Sequence, residues 1–262
     1  MTIHLTSVVY PLSGLVVGTI VGLTGVGGGS LMTPVLLALG VHATTAVGTD
    51  LLYAAATKSV GTAMHNAHDS VDWKIVRRLA LGSVPGTILT LYGLSRIGAQ
   101  SKEVTDTIKF VLGVALILTA TSIFFRQHVV DYLTRKLGEP TDRRAAQLTV
   151  LSGLVLGILV SLSSVGAGAV GVTVLLLLYP RVKLVRIVGS DIAHAVPLTL
   201  VAGAGHWLLG DINWALLGSL LIGSIPGIIL GSYLAPRVPE KGLRSALATV
   251  LLMVGANLLK VI

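Results

Sequence analysis

Residues 12–39 of the chain read LSGLVVGTIVGLTGVGGGSLMTPVLLAL, an apolar stretch that has no charged side chain and is broken near its middle by glycines. A helix needs about 20 apolar residues to cross the ~30 Å hydrocarbon core of a bilayer. The arm that follows the break, residues 26–39, is shorter than that. The pattern predicts a broken helical hairpin inside a membrane, with the second arm as one half of a re-entrant hairpin.

The composition of the whole chain also indicates that the protein is embedded in the hydrocarbon of a bilayer. Of its 262 residues, 53% are hydrophobic and 11% are charged, against about 25% charged in an ordinary soluble domain. Membrane-spanning β-strands alternate polar and apolar residues, which these apolar runs do not do. We therefore expect an all-α, multi-pass protein of the cytoplasmic (inner) membrane, with the lipid bilayer as its partner.

Other classes of function find little support in the composition. The chain has no cysteine, and its histidines and carboxylates are scattered among the apolar segments, so we predict no metal, no cofactor and no catalytic residue. The formal net charge of +8 belongs to a chain without a soluble basic module, so we expect no nucleic-acid partner. We interpret the positive charge as a signal of membrane topology.

The chain repeats itself. Residues 12–39 match residues 151–178 at 15 of 28 positions, and residues 47–96 match residues 188–237 at 17 of 50 positions. Such extended agreement indicates a duplication of one ancestral unit.

The two copies define the expected domains: a first transmembrane repeat at 1–125, a linker at 126–144 and a second repeat at 145–262. Each repeat is predicted to contain about five helical segments and to begin with the glycine-rich broken hairpin. A homodimer is compatible with this organisation. The apolar segments are 8–24, 26–39, 44–64, 76–96 and 105–125, and then 147–163, 165–179, 184–208, 213–235 and 244–261.

Basic residues indicate how the repeats lie in the membrane, because lysine and arginine prefer the cytoplasmic side. If each repeat crosses an odd number of times, 14 basic residues fall on one side and 4 on the other, with Lys58 left inside the membrane. An even number of crossings splits them 9 to 9. We therefore expect repeats of inverted topology, as in many secondary transporters, with both termini outside and the linker in the cytoplasm.

The glycine-rich breaks are candidate substrate loops. A helix that begins after such a break directs free backbone N–H groups at its surroundings, and its N-terminus favours anions. Alternatively, the glycines only allow helices to pack closely in lipid, an interpretation that applies equally to Gly-Ser-Val-Pro-Gly at 82–86 and Gly-Ser-Ile-Pro-Gly at 223–227. The candidate substrate-binding residues in the two breaks are Thr24, Gly25, Gly27, Gly28, Gly29, Ser30, Ser163, Ser164, Gly166 and Gly168.

Three residues with a carboxylate or ammonium group lie well inside apolar segments, away from the segment ends. Asp50 and Asp191 are repeat equivalents, and each is either the N-cap of a helix or a functional carboxylate, since burying charge in a membrane is costly. Lys58 lies near the middle of its span, too deep to reach the interface easily, and its repeat equivalent is Thr199. We predict that Lys58 pairs with a carboxylate or binds an anionic substrate.

Two histidines are candidates for gating or ion coupling. His65 and His206 occupy equivalent positions in the two repeats, and histidine changes its charge between about pH 5 and 8. In an inverted arrangement, each side of the membrane receives one of these imidazoles and one of the carboxylates Asp50 and Asp191. The four residues therefore form two predicted gates that bind and release protons.

The motifs resemble those of the TauE/SafE family of sulfite exporters. The resemblance rests on Gly-Leu-Thr-Gly-Val-Gly-Gly-Gly-Ser at 22–30, Thr33-Pro34, Val-Gly-Thr-Asp at 47–50 and Gly-Ser-Val-Pro-Gly at 82–86, and it extends to the second repeat. There the pattern departs from the family, because Ala167 and Ala169 replace a glycine and a serine. The resemblance implies export of sulfite, sulfoacetate or a related organosulfur anion.

The residues and the resemblance lead to one expected function and one alternative. We expect a non-enzymatic secondary transporter that exports a small sulfur-containing oxyanion by alternating access around a site near the membrane midplane. The alternative is an ion-coupled importer of another small anion on the same scaffold. An intramembrane hydrolase is disfavoured, because neither Ser30 nor Ser164 lies in a Gly-x-Ser-x-Gly elbow.

Overall fold

The computed structural model describes residues 2–24, 29–67, 69–98, 101–166, 168–234 and 240–260. Within these ranges the regular structure is helical throughout, which confirms the predicted all-α class. The helices are α1 (Thr2–Thr24), α2 (Gly29–Ala38), α3 (Ala43–Ala67), α4 (Trp73–Ile97), α5 (Lys102–Leu137), α6 (Asp142–Ser163), α7 (Ala169–Leu178), α8 (Leu184–Leu208), α9 (Trp214–Leu234) and α10 (Glu240–Lys260).

Several helices have the length and composition of membrane spans. In the described part of the chain, four stretches are long and apolar enough to cross a bilayer: Lys102–Lys136, Asp142–Ser163, Leu184–Leu208 and Trp214–Gly231. Large apolar side chains cover the outside of the bundle, and Leu208 and Ile222 are 84% and 72% exposed. A surface of this kind is stable against lipid rather than water.

The segments after the glycine-rich breaks are short, as predicted. Helices α2 and α7 contain 10 residues each, which corresponds to about 15 Å at 1.5 Å per residue and is half of the hydrocarbon thickness. Helix α5, in contrast, continues into the predicted linker and ends at Leu137. Four residues, 138–141, then separate it from α6.

Polar side chains fix where the long helices begin. Asp72 caps α4 by accepting a hydrogen bond from the backbone N–H of Lys74 at 3.0 Å. In the second repeat, the Asn213 side chain accepts from the backbone N–H of Leu216 at 2.9 Å, at the start of α9. The two helices begin at Trp73 and Trp214, which are about half exposed, and tryptophan is enriched at membrane interfaces.

The two repeats interlock through close contacts between glycine and backbone. Helix α1 runs parallel to α9, and α6 runs parallel to α4. A Cβ atom at Gly18 would lie 2.6 Å from the carbonyl oxygen of Ser224, and one at Gly86 would lie 2.6 Å from that of Leu154. The glycines in these contacts are Gly14 and Gly18 of α1 with Gly223, Gly227 and Gly231 of α9, and Gly153 and Gly157 of α6 with Gly82 and Gly86 of α4.

The proline-glycine motifs at 82–86 and 223–227 lie in these contacts. Their glycines lie directly on the backbone of a helix from the other repeat, so the motifs permit close packing of the kind seen between membrane helices. The contacts are also equivalent in the two repeats, because α1 on α9 and α6 on α4 use glycines at matching positions.

Two pairs of equivalent helices, with one helix from each repeat, pack antiparallel to each other. Gly48, near the start of α3, packs against His206, near the end of α8, and Gly203 packs against Leu52. Helices α5 and α10 are likewise antiparallel, with Gly113 against Gly255. The crossing of α3 and α8 places the middle of both helices at the centre of the bundle.

Candidate functional site

Asp50, Lys58 and Asp191 are buried where α3 packs against α8, with Lys58 between the two aspartates in its level along the helices. Their exposed fractions are 0%, 6% and 2%, and the Lys58 ammonium interacts electrostatically with both carboxylates. Both aspartates lie well inside their helices, which begin at Ala43 and Leu184, so the N-cap interpretation is wrong. The prediction that Lys58 is buried near the middle of its span agrees with the structure.

Asp50 is held by the short helix of its own repeat. Its Oδ2 atom accepts hydrogen bonds from the Thr33 backbone N–H at 3.2 Å and from the Thr33 hydroxyl at 2.5 Å. Ser164, from the glycine-rich turn of the other repeat, is buried and lies beside the same carboxylate. Asp50 therefore joins α2, α3 and the second break.

Asp191 occupies the equivalent position against α7 but has poorer contacts. A Cβ atom at Gly171 would overlap Asp191 Oδ1, so the carboxylate lies directly on the α7 backbone. Oδ1 is buried and has no hydrogen-bond partner among the described residues. Val172 stands where the first repeat has Thr33, so α7 offers no hydroxyl at this position.

Two pairs of polar residues extend the cluster. His194 is buried, and its Nε2 atom lies 2.8 Å from the Ser83 hydroxyl of α4. The repeat equivalents of these two residues are Tyr53 and Ser224, which also lie next to each other, between α3 and α9. Lys58 interacts electrostatically with His194 as well.

Neither pair was singled out from the sequence, although a signal for them exists. Tyr53 and His194 each follow the repeat aspartate by three residues, a spacing that places both side chains on one face of a helix. Their partners, Ser83 and Ser224, stand inside the proline-glycine motifs. The indication in the sequence is a polar side chain that follows each aspartate by three residues within an apolar segment.

The second glycine-rich break contributes one of its two serines to the cluster. Ser163 closes the turn locally, because its hydroxyl lies 3.2 Å from the Val165 backbone N–H and 2.7 Å from the Leu159 carbonyl. Ser164 adopts a left-handed backbone conformation with φ 58°, which turns its hydroxyl toward Asp50. Gly166 and Gly168 have φ angles of 122° and 136°, which side-chain-bearing residues rarely adopt.

The first break and His65 cannot be placed in the same detail. Gly25, Gly27 and Gly28 lie outside the described residues. Thr24, Gly29 and Ser30 stand at the ends of α1 and α2, and His65 stands in the last turns of α3, but their side chains lie outside the described part of the structure.

His206 makes contacts that tie three parts of the protein together. Its Nδ1 atom lies 3.3 Å from Asp211 Oδ2, and its Nε2 atom lies 2.9 Å from the backbone carbonyl of Ser161 in α6. The imidazole and Asp211 are both buried. The side chain therefore joins the end of α8, the following turn and α6, and the role of His65 and His206 in gating stays a prediction.

Replacing His206 by glutamine tests that prediction. From its contacts, we expect His206→Gln to lower the stability by about 1–3 kcal/mol, because it leaves buried polar groups with poorer partners. If His206 forms part of a gate, the variant should also show a flattened pH profile of transport in reconstituted vesicles between about pH 5.5 and 8. An unchanged profile would remove His206 from the gate and leave it a structural role.

The helices and the buried charges together define a class of protein. A multi-pass helical bundle that holds two carboxylates and an ammonium at its centre is a membrane transporter scaffold, because intramembrane charges mark ion and substrate pathways.

Comparison with known proteins confirms this class. The chain belongs to the TauE/SafE sulfite exporter family, whose model, described as Sulfite exporter TauE/SafE, matches residues 10–258. The chain is 39% identical over 259 residues to the Probable membrane transporter protein YjnA of Bacillus subtilis (strain 168), covering 97% of this chain and 100% of that protein. It is 24% identical over 274 residues to the Probable membrane transporter protein YunE of the same organism, covering 96% of this chain and 97% of that protein. No solved structure matches the chain.

Proposed function

We propose that this protein is a secondary transporter that exports sulfite or a related small organosulfonate across the cytoplasmic membrane. The observation that carries the proposal is the buried Lys58 of a chain from the TauE/SafE family, an ammonium that interacts electrostatically with Asp50 and Asp191. An ammonium in a low-dielectric interior attracts a small oxyanion strongly.

The groups around Lys58 suit a small oxyanion. The Ser164 hydroxyl is buried beside Asp50, and a hydroxyl in this position can donate a hydrogen bond to an oxyanion. The short helices α2 and α7 begin after the glycine-rich breaks, and their N-termini carry partial positive charge. Asp50 lies against α2 and Asp191 lies against α7. An anion therefore reaches the N-termini of these helices only when the carboxylates move aside.

The arrangement of the helices supports alternating access. The antiparallel packing of α3 with α8 and of α5 with α10 supports an inverted pair of repeats, for which we propose that the termini lie outside and the 126–144 segment lies in the cytoplasm. In such proteins one bundle rocks against the other around a central site. The membrane potential favours export of an anion by about 2.3 kcal/mol per charge per 100 mV.

An ion-coupled importer of another small anion is the second candidate. The observation in its favour is that two carboxylates, Asp50 and Asp191, surround one ammonium, so the cluster carries one negative charge in excess when all three groups are ionised. An anion then enters more easily together with a cation. The direction of net transport separates this candidate from an exporter.

Efflux from proteoliposomes tests the proposed function. We expect vesicles loaded with radiolabelled sulfite to lose it much faster than protein-free vesicles, and unlabelled sulfite or an organosulfonate to compete better than sulfate. Imposed pH and sodium gradients in the same vesicles report coupling and direction. If sulfite, thiosulfate, taurine and sulfoacetate all stay inside, the assignment of a sulfur anion as substrate is wrong.

A further inference from the structure

We propose that the two central carboxylates have different roles: Asp191 binds and releases the proton that travels with the anion, whereas Asp50 is a positioning residue that stays ionised. This inference rests on the proposed transport function and specifies how the same site is coupled. It assigns the proton to one half of a nearly symmetric cluster, the half that also contains His194 and Ser83.

The surroundings of Asp50 stabilise its ionised form. Oδ2 accepts two hydrogen bonds from Thr33, at 3.2 Å from the backbone N–H and 2.5 Å from the hydroxyl, and hydrogen bonds to a carboxylate favour its charge. The contact also lies near the N-terminus of α2, where the helix dipole favours an anion. Asp50 thus keeps the short helix attached to α3.

Asp191 has none of these hydrogen bonds among the described residues. Its Oδ1 atom faces the bare backbone of Gly171 and, like Asp50 Oδ1, is buried without a partner among the described residues. Asp191 differs in that no threonine bonds its carboxylate, because Val172 stands at the position of Thr33. An ionised carboxylate in such a place depends on the field of a nearby cation. Lys58 is that cation, and its charge is shared between Asp191 and Asp50.

The other elements packed against Asp191 add few charges. Helix α3 presents Lys58 and Asp50, and α4 presents the Ser83 hydroxyl. Asp72, at the start of α4, donates its backbone N–H to Ser190 Oγ at 2.8 Å, but its own carboxylate caps α4. Helix α7 has no ionisable residue, and the charged residues of α6 lie in its first turn, where Asp142 pairs with Arg78 and Lys74 at the surface.

His194 lies on the same face of α8 as Asp191, three residues further on. Its Nε2 atom is 2.8 Å from Ser83 Oγ, and its Nδ1 atom is buried and has no partner among the described residues. The equivalent position in the first repeat is Tyr53, whose phenol does not titrate near neutral pH. The half-site of Asp191 therefore has a neutral imidazole where the half-site of Asp50 has a phenol, which leaves Asp191 as the group of its half-site that takes the proton.

The charge balance links the proton to the anion. With Asp191 protonated, Asp50 and Lys58 leave the cluster neutral. An anion that binds beside Lys58 weakens its attraction for the Asp191 carboxylate and favours a proton there. The proton enters Asp191 from cytoplasmic water with the anion and leaves to external water when the anion leaves.

Proton and sulfite fluxes measured together in proteoliposomes test the assignment. With a pH-sensitive dye in the vesicle interior, we expect wild-type efflux of sulfite to carry protons, and Asp191→Asn to transport sulfite with proton movement reduced at least tenfold per anion. Asp50→Asn should lower the transport rate, but the protons moved per anion should be those of the wild type. An unchanged proton-to-anion ratio in Asp191→Asn, or a wild type that moves no protons, would overturn the proposal.

A second measurement uses the unmodified protein and needs no substrate. Hydrophobic carbodiimides react with protonated carboxyl groups in membranes, and mass spectrometry locates the adduct. We expect modification of Asp191, decreasing as the pH is raised, with Asp50 unmodified. Equal or greater modification of Asp50, or modification of neither, would overturn the assignment even if sulfite proves not to be the substrate, whereas failure of sulfite transport alone would leave the labelling result standing.

Discussion

Replacing Lys58 by threonine is expected to reduce sulfite efflux from proteoliposomes at least about 100-fold, which corresponds to about 2.7 kcal/mol of lost interaction. Threonine is the residue that the second repeat carries at this position, Thr199, where it is buried and bonds the Ala195 carbonyl within its own helix. The side chain is therefore compatible with a helix in this core. What is lost is the ammonium that attracts the anion.

The same change should also destabilise the protein, because it leaves Asp50 and Asp191 without their cation. Breaking a buried charge pair by removing one partner costs about 3–5 kcal/mol. The double variant Lys58→Thr with Asp191→Asn removes one of the two carboxylates, so we expect it to recover thermal stability but not transport. Lys58→Arg is the matched control and should retain measurable efflux. Transport at the wild-type rate in Lys58→Thr would remove Lys58 from the site.

Replacing Gly82 by alanine is expected to be among the most damaging single-methyl changes in the described helices. A Cβ atom there would overlap the Val150 carbonyl oxygen and lie 2.7 Å from the Leu154 backbone nitrogen. Rigid backbone cannot yield as a side chain does, so α4 and α6 must separate. We expect a loss of about 1–3 kcal/mol or more, measured as a lower midpoint of thermal unfolding in detergent.

Gly93 provides the control, because it lies in the same helix and a Cβ atom there meets nothing within 4 Å. Gly93→Ala should leave the midpoint unchanged or raise it slightly, since alanine favours a helix by up to about 1 kcal/mol over glycine. Gly223→Ala and Gly218→Ala form the equivalent pair in α9. Equal effects of Gly82→Ala and Gly93→Ala would show that the glycine contacts do not hold the repeats together.

Much of the fold could be predicted from the sequence because hydrocarbon offers no hydrogen bonds to the backbone. A long apolar run in this chain has to be a helix, since its backbone groups find no water, and the break after Thr24 limits α2 to a short helix. The linker was harder to delimit. Residues 126–137 carry enough charge to look like a connection, yet they continue α5 to Leu137, because a charged helix is stable where it leaves the membrane.

The charged cluster was predicted in part. Asp50, Lys58 and Asp191 stand out in an apolar sequence because an ionisable group in a membrane is energetically costly and usually has a function. The cap interpretation of the aspartates was wrong, because the threonines and alanines before Asp50 and the valines before Asp191 continue the helix instead of starting it.

Contacts between distant elements could not be predicted. Neither the approach of Thr33 to Asp50 nor that of Ser164 follows from spacing along the chain, because each depends on how the short helix and the second break fold back into the bundle. The difference between Asp50 and Asp191 depends on the same contacts. Asp50 and Asp191 occupy equivalent positions in the duplicated sequence, which predicts equal roles for them. Their surroundings differ, because Asp50 contacts Thr33 of α2 and Asp191 contacts Gly171 of α7.

Equilibrium binding of radiolabelled sulfite to the purified protein, with Lys58→Thr measured beside the wild type, tests the central claim most directly. The absence of cysteine from the chain excludes covalent reaction of sulfite with a disulfide of the protein. We predict saturable binding to the wild type and its loss in Lys58→Thr. Saturable binding of equal strength in both proteins would contradict the claim that the anion binds at the buried charge cluster.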